Sequence, residues 1–307
     1  MTASTACMWF VGVSTGSSSI MRVFPRWADL LALPTRRLIG HDIPLDAPAG
    51  AYRRAVAAIR DNPQHLGALV TTHKMAVFRH AFDLFDDVDE LARTFGEVSS
   101  VAKRGDRLIG SAKDPVTVRL ALEEFLPPDH FARTGAAGLV LGSGGAGCAL
   151  TYALGLRADA PSLIICTALD SAPLEHQRTL HQRAGIPADR VRYLVTPTPE
   201  DATALLSQLP AGSLIVNATG MGKDRAGSPL TPAATFPEGG YVWDFNYRGS
   251  LDFLVQARSQ QANRSLVVED GWRYFIHGWT EVIADVFDIA IPAAMIPQLS
   301  AVAAEVR

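Results

Sequence analysis

AAGLVLGSGGAGCALTYALGL, residues 136–156, decides the fold. An apolar run of strand length ends in Gly142-x-Gly144-x-x-Gly147, and an alanine- and leucine-rich stretch of helical length follows. Each glycine has its own task there. The first permits a tight turn out of the strand, the second lets a pyrophosphate approach the backbone, and the third lets helix and strand pack closely. The helix start over Gly145, Ala146 and Gly147 then offers amide N–H groups and the positive end of a dipole. A glycine triplet alone would also suit a structural turn. Here a further apolar strand, PSLIICTAL, follows at the distance a βαβ unit needs, so the stretch is read as a dinucleotide cradle.

Outward from it, RVRYLV, GSLIVNAT and GGYVWDFN continue a series of strands with helical stretches between them. Strands alternating with helices call for a parallel sheet covered on both faces. A first, separate series precedes PPDHFARTG, which reads as a crossover loop after a helix at 115–126. It holds the strand MWFVGV, a Ser/Gly loop, the helix RVFPRWADLLAL despite Pro25, a strand in RRLIGHDIP, the amphipathic helix AGAYRRAVAAIRD and the strand LGALVTT. The acidic helix FDLFDDVDELAR and a hairpin in EVSSVAKRGDRLIGS, turning at Gly-Asp, complete it. From Asp270 the tail is helical and is expected to pack back on the first domain. The fold class is α/β: an N-terminal α/β substrate domain over 1–115 with 270–307, and a doubly wound Rossmann-type dinucleotide-binding domain over 116–269.

The 307 residues suit two domains, and 48% of them are hydrophobic, enough for two cores. A net charge of −3, without any basic stripe, argues against a nucleic-acid partner. Cys7, Cys148 and Cys166 are too few and too scattered for a disulfide framework or a zinc site, and read as small buried hydrophobes. No signal peptide and no membrane-spanning run is legible, so a soluble cytoplasmic protein, monomer or homodimer, without metal or membrane partner, is expected.

A chain that binds a nicotinamide dinucleotide transfers hydride, and oxidising an alcohol also requires a group to take the hydroxyl proton. Lys74, in GALVTTHKMAV, stands at the mouth of an apolar strand, where burial lowers an amine's pKa and a carboxylate partner restores its charge. Asp114 follows the strand-like LIGSAK and could be that partner. Taken alone, both residues are more readily read as solvated surface groups. Asp170 follows PSLIICTAL closely, and no Arg or Lys comes before Arg178, which favours NAD over NADP. Asp170 could instead simply cap the next helix.

Across nearly its whole length the chain resembles the shikimate dehydrogenase family, including its quinate/shikimate branch. VTTHK resembles the family's stretch ending in His-Lys, one residue shorter and without its proline. GEVSSV resembles Gly-Ala-Val-Asn-Thr-Val, and LIGSAKD resembles Leu-Ile-Gly-x-Asn-Thr-Asp. LGSGGAG, VNATGMG, DFNY and DGWRYFIHG follow in family order. The resemblance implies catalytic roles for Lys74 and Asp114, and substrate contacts from Ser17, Ser19, Thr71, Ser99 and Tyr247. It further implies cofactor contacts from Gly142, Gly144, Gly145, Ala146, Gly147, Asp170, Asn217, Thr219, Met221 and Gly271, with Met221 bordering the nicotinamide. The cofactor would be NAD or NADP, and the implied activity that of an NAD(P)-dependent alcohol dehydrogenase of the kind used in aromatic amino acid biosynthesis.

The departures concern the substrate. Ser99 stands for an asparagine, Ala112-Lys113 for Asn-Thr, and Gly278 for a glutamine, while Gly249 and Asp252 alter the loop after Tyr247. Losing two amides removes contacts that discriminate between ring hydroxyls. The expected substrate is therefore shikimate, quinate or a related cyclic hydroxy acid or cyclitol. His73, His277 and Trp279 are read as structural neighbours. A non-catalytic or regulatory dinucleotide-binding protein, and a two-domain dehydrogenase using a folate substrate, are the competing readings. The retained Lys74 and Asp114 argue against the first of these.

Overall fold

The computed structural model describes residues 6–223 and 225–306. The chain forms two compact units. One comprises the chain up to Lys113 together with the segment from Ile276, and the other is Asp114–Phe275.

The first unit runs β1 (Cys7–Gly12), α1 (Ile20–Leu30), β2 (Leu38–Asp42), α2 (Ala49–Asp61), β3 (His65–Val70), α3 (Lys74–Ala81), β4 (Asp87–Val88), α4 (Glu90–Phe95), β5 (Ser100–Arg104) and β6 (Arg107–Ser111). Its sheet has the order β2-β1-β3-β5-β6-β4. β1 pairs in parallel with β2 and β3, whereas β5 runs antiparallel to both β3 and β6. The β5–β6 hairpin turns at Gly105-Asp106, with Gly105 at φ +60°, a conformation that glycine adopts without steric cost. α1 survives its internal Pro25 because Ile20, Val23, Phe24, Trp27 and Ala28 all bury on one face.

The second unit runs α5 (Asp114–Glu123), α6 (His130–Thr134), β7 (Gly138–Leu141), α7 (Gly145–Gly155), β8 (Ile164–Ala168), α8 (Ser171–Arg183), β9 (Val191–Val195), α9 (Pro199–Leu206), β10 (Leu214–Asn217), β11 (Tyr241–Asp244), α10 (Asp252–Gln260) and β12 (Val267–Glu269). Its sheet, ordered β12-β11-β10-β7-β8-β9, is parallel throughout. β7, β8 and β10 are buried at every position, as a sheet covered on both faces requires. α11 (Trp272–Phe287) spans the boundary between the units, and α12 (Ile296–Ala304) belongs to the first, where the Trp27 indole N–H donates to the Leu299 carbonyl at 2.9 Å. No helix among the described residues is long and apolar enough to cross a membrane.

Three local expectations change. The stretch 82–93 is not one helix but a single 3-10 turn at Phe82–Leu84, then β4, then α4. Its aspartates take backbone donors instead: Asp86 accepts from Leu108 N at 2.7 Å, and Asp89 caps α4 by accepting from Ala92 N at 2.6 Å. Short acidic side chains compete with helix in this way. The expected crossover loop contains α6, closed by Gly135 in the left-handed region. The sixth strand of the second sheet, β12, has only three residues and so lacked a readable period.

α7, α8 and β9 enclose a polar cluster. His181 is 2% exposed, with Nε2 at 2.9 Å from the Thr151 hydroxyl and Nδ1 at 2.7 Å from the Tyr193 hydroxyl. Burial lowers its pKa from the ordinary 6.5 to about 4. The neutral ring's contribution to stability is therefore complete above pH 6.5 and is lost as pH falls towards 4, at most about 3 kcal/mol. Asp244, raised by burial to about 6, acts in the opposite sense over the same range, so the comparison needs a variant. Between pH 7 and pH 4.5, urea unfolding should show the wild type losing about 2 kcal/mol more than His181→Gln. Parallel pH profiles would refute the assignment.

Candidate functional site

In the second sheet the chain leaves β7 towards β8 and β9 on one side, and later returns through β10, β11 and β12 on the other. The crevice at the carboxyl ends of β7 and β10 is therefore the topological switch point, where open α/β sheets bind ligands. The glycine loop sits there. Gly142 has φ +104°, and its N–H donates to the Thr167 carbonyl at 3.1 Å. A Cβ on Gly142 would lie 2.9 Å from the Ala218 carbonyl, and one on Gly147 would lie 2.0 Å from the Gly142 oxygen. Both glycines are thus required by packing. Gly144, which caps α7 with φ −77°, would carry a Cβ with nothing within 4 Å. The open space at Gly144, beside first-turn amides that have no carbonyl four residues back within the helix, fits a pyrophosphate.

Asn217 ends β10, and its side-chain oxygen accepts from the Thr219 amide at 3.1 Å and hydroxyl at 2.6 Å. Met221 closes the turn, its N–H donating to the Thr219 hydroxyl at 3.1 Å. Asp170 follows β8, is exposed, and caps α8 by accepting from Ala172 N at 3.1 Å. A Cβ on Gly271 would lie 2.1 Å from the Phe245 oxygen, so this glycine is needed for the close approach of the backbone before α11. The Tyr247 ring packs against Trp272 and Phe275, with centroids at 5.5 and 4.8 Å.

In the first unit, the loop after β1 carries Ser17, exposed, and Ser19, 6% exposed. Thr15 pins the loop: its N–H and hydroxyl both donate to Asp42 Oδ1, at 2.8 and 2.6 Å, and these bonds hold the Asp42 carboxyl below the usual range. Thr71 follows β3, and its N–H donates to the Val11 carbonyl at 2.9 Å. Lys74, partly buried, opens α3, with its N–H on the Thr71 carbonyl (3.1 Å) and its own carbonyl accepting from Val98 N (3.1 Å). Ser99, 2% exposed, accepts from Val70 N through its carbonyl at 2.9 Å. Because β5 is antiparallel to β3, these bonds gather Thr71, Lys74 and Ser99 where β3 ends and β5 begins.

The Ser99 hydroxyl is engaged by the chain itself. It accepts from Lys113 N at 2.7 Å and donates towards the Ser111 carbonyl at 3.4 Å. The Lys113 ammonium lies 3.5 Å from Asp285 of α11, which also accepts from the Ser100 hydroxyl at 2.6 Å. Asp114, 7% exposed, opens α5. His73 is structural: its Nε2 sits 2.7 Å from the Ile43 carbonyl and its ring packs on Tyr52. Trp279 packs edge-on against Phe10. Among the described residues no cluster of His, Cys, Asp and Glu could hold a metal ion. The sequence reading passed over Asp244 and Asn246, which lie beneath the Met221 turn. An aspartate closing the otherwise apolar run YVWD was the available signal.

No family model matches the chain. It is 30% identical over 235 residues to the shikimate dehydrogenase (NADP(+)) of Symbiobacterium thermophilum, a match spanning 76% of this chain and 74% of that protein. Quinate dehydrogenase from Corynebacterium glutamicum, solved in complex with NAD, superposes with a TM-score of 0.75 at 18% identity, covering 98% of this chain and 99% of that one. Shikimate 5-dehydrogenase from Thermus thermophilus, solved in complex with NADP(H) and shikimate, gives a TM-score of 0.71 at 22% identity, over 98% and 100%. The two structural likenesses establish the shared fold, and the sequence match establishes kinship.

Two glycine variants separate packing from ligand contact. Gly147→Ala should cost about 1–3 kcal/mol of stability, because the backbone carbonyl it meets cannot turn aside. Gly144→Ala should leave stability within about 0.5 kcal/mol of wild type while weakening dinucleotide binding about tenfold or more. Thermal unfolding and calorimetric titration read the two effects, and a Gly144→Ala protein that binds like wild type would remove this loop as the cradle.

Proposed function

The chain belongs to the shikimate dehydrogenase family, and on that premise we propose that it interconverts a ring hydroxyl and a ketone on shikimate, quinate or a closely related cyclic hydroxy acid or cyclitol. It is an NAD(P)-dependent dehydrogenase. The observation that carries the reading is the glycine cradle at the sheet's switch point, whose glycines Gly142 and Gly147 admit no side chain. The dinucleotide would be held by the amides of Gly145, Ala146 and Gly147 and by the Asn217–Met221 turn, with Gly271 and Asp170 at its margins. It supplies the hydride acceptor or donor.

The chain's own residues then bind the alcohol and move its proton. Lys74 takes the hydroxyl proton during oxidation and returns it during reduction, and Asp114 keeps the amine oriented and tunes its charge. Thr71 and Tyr247 contact the ring, and the hydroxyls of Ser17 and Ser19 receive the substrate carboxylate. Ser99 contributes little discrimination between ring hydroxyls, because its hydroxyl already bonds Lys113 N and faces the Ser111 carbonyl. This supports a substrate range broader than shikimate alone.

NAD is the proposed partner in preference to NADP. Asp170 presents an exposed carboxylate after β8, and a carboxylate there favours ribose hydroxyls and repels a 2′-phosphate. Arg178, the first cation that follows, lies over the Tyr193 ring at 4.8 Å. Replacing Asp170 with Ser should shift the ratio of kcat/KM for NAD over NADP towards NADP by about tenfold, the equivalent of 1.4 kcal/mol. An unchanged ratio would leave Asp170 as a helix cap alone.

The main test follows reduced cofactor spectrophotometrically with shikimate, quinate and a panel of cyclic polyols. Lys74→Ala should lower kcat by about a thousandfold while dinucleotide Kd stays within about threefold. Dinucleotide binding without turnover of any alcohol, together with a Lys74→Ala variant indistinguishable from wild type, would favour a regulatory binding protein.

A further inference from the structure

β10 and β11 end side by side in two polar residues, Asn217 and Asp244, which are register partners and both 0% exposed. Asp244 Oδ2 accepts from the Asn217 side-chain amide at 3.1 Å, and its Oδ1 accepts from Asn246 N at 2.8 Å. The Asn217 amide also donates to the Met221 carbonyl at 3.1 Å, and the Asn246 side-chain amide donates to the same carbonyl at 2.9 Å. The following carbonyl, Gly222, accepts from Leu251 N at 3.1 Å. The Met221–Gly222 backbone is thus held from below by two amides, both of which are set by one carboxylate.

We propose that Asp244 is a positioning residue for dinucleotide binding, acting through Asn217 and Asn246 to fix the Met221 carbonyl and with it the turn 218–222. The proposal rests on the reading above that this turn borders the nicotinamide. The chemistry is one of donor and acceptor order. An asparagine side chain can present either edge, and the acceptor at Asp244 joins the Met221 carbonyl in drawing the Asn217 nitrogen, leaving its oxygen for Thr219. A neutral amide at position 244 would set donor against donor on one side of the network. Burying a carboxylate costs stability, and burial raises this one to about 6, with the Asp270 carboxylate adding to the rise. Asp270, on the turn before α11, is the carboxylate whose field reaches it; the hydrogen-bonded groups around it are neutral amides. Below about pH 6 the added proton occupies an acceptor site, and the clamp on Met221 loosens.

The test compares wild type with Asp244→Asn, using whichever of NAD and NADP the wild type binds more tightly. The variant should bind the dinucleotide about tenfold more weakly, with KM for the alcohol changed less than twofold. In the absence of dinucleotide, amide hydrogen exchange across 218–222 should accelerate about tenfold while the other strand ends keep wild-type rates. Wild-type affinity should fall as pH drops from 7 to 5, and the variant's should not. Asn246→Ala, which keeps the buried carboxylate and removes one donor to Met221, provides the second arm, with about threefold weaker binding expected. Wild-type affinity and wild-type exchange in both variants would overturn the proposal. A wild-type protein that binds neither dinucleotide would defeat the functional reading instead, and the exchange measurement would still decide whether Asp244 holds the turn.

Discussion

Helix α7 approaches the end of β7 so closely that a single carbon atom at position 147 would overlap the Gly142 carbonyl oxygen. Much of the second unit follows from that approach. It places the helix start directly above the switch point, and it leaves Gly142 no room for a side chain against Ala218. The turn after β10 can then lie against the glycine loop, with Ala218 N on the Leu141 carbonyl at 2.8 Å. Cradle and turn are one packed object rather than two neighbouring loops. A site assembled this way holds its shape before any ligand arrives, which lowers the ordering cost of binding.

The parts legible in the sequence are those whose physical requirement is local. Gly142, Gly144 and Gly147 lie within six residues of one another between a strand and a helix, and the Gly105-Asp106 turn announces its hairpin in the same way. Asp244 was not legible because Asn217, the side chain it holds, lies 27 positions earlier and meets it only once β10 and β11 pair. The stretch 82–93 failed for a related reason. Its pattern suits a helix, but Asp86 bonds a backbone amide on β6, 22 residues further on. Side chains that serve distant backbone cannot be recognised by period.

Ser99, Lys113 and Asp285 form one linked set in the first unit. Position 99 holds a serine whose hydroxyl accepts from Lys113 N, and position 113 holds a lysine whose ammonium faces Asp285. The two departures from the family pattern therefore touch each other and form part of one hydrogen-bonded and ionic chain running from β5 to α11. These polar groups bind the protein to itself, and the hairpin is anchored by them.

That anchoring runs to the far end of the polypeptide. The first unit needs Asp285 for Lys113, and Leu299 for the indole of Trp27, yet more than 150 intervening residues form a separate unit. On a ribosome, the middle of the chain is available as a complete folding unit first. The sheet made earliest must wait for the last thirty or so residues before its final layer can close. During that interval the indole of Trp27 lacks its native acceptor, and the apolar surface that α12 will cover lies open to solvent and to nascent-chain chaperones.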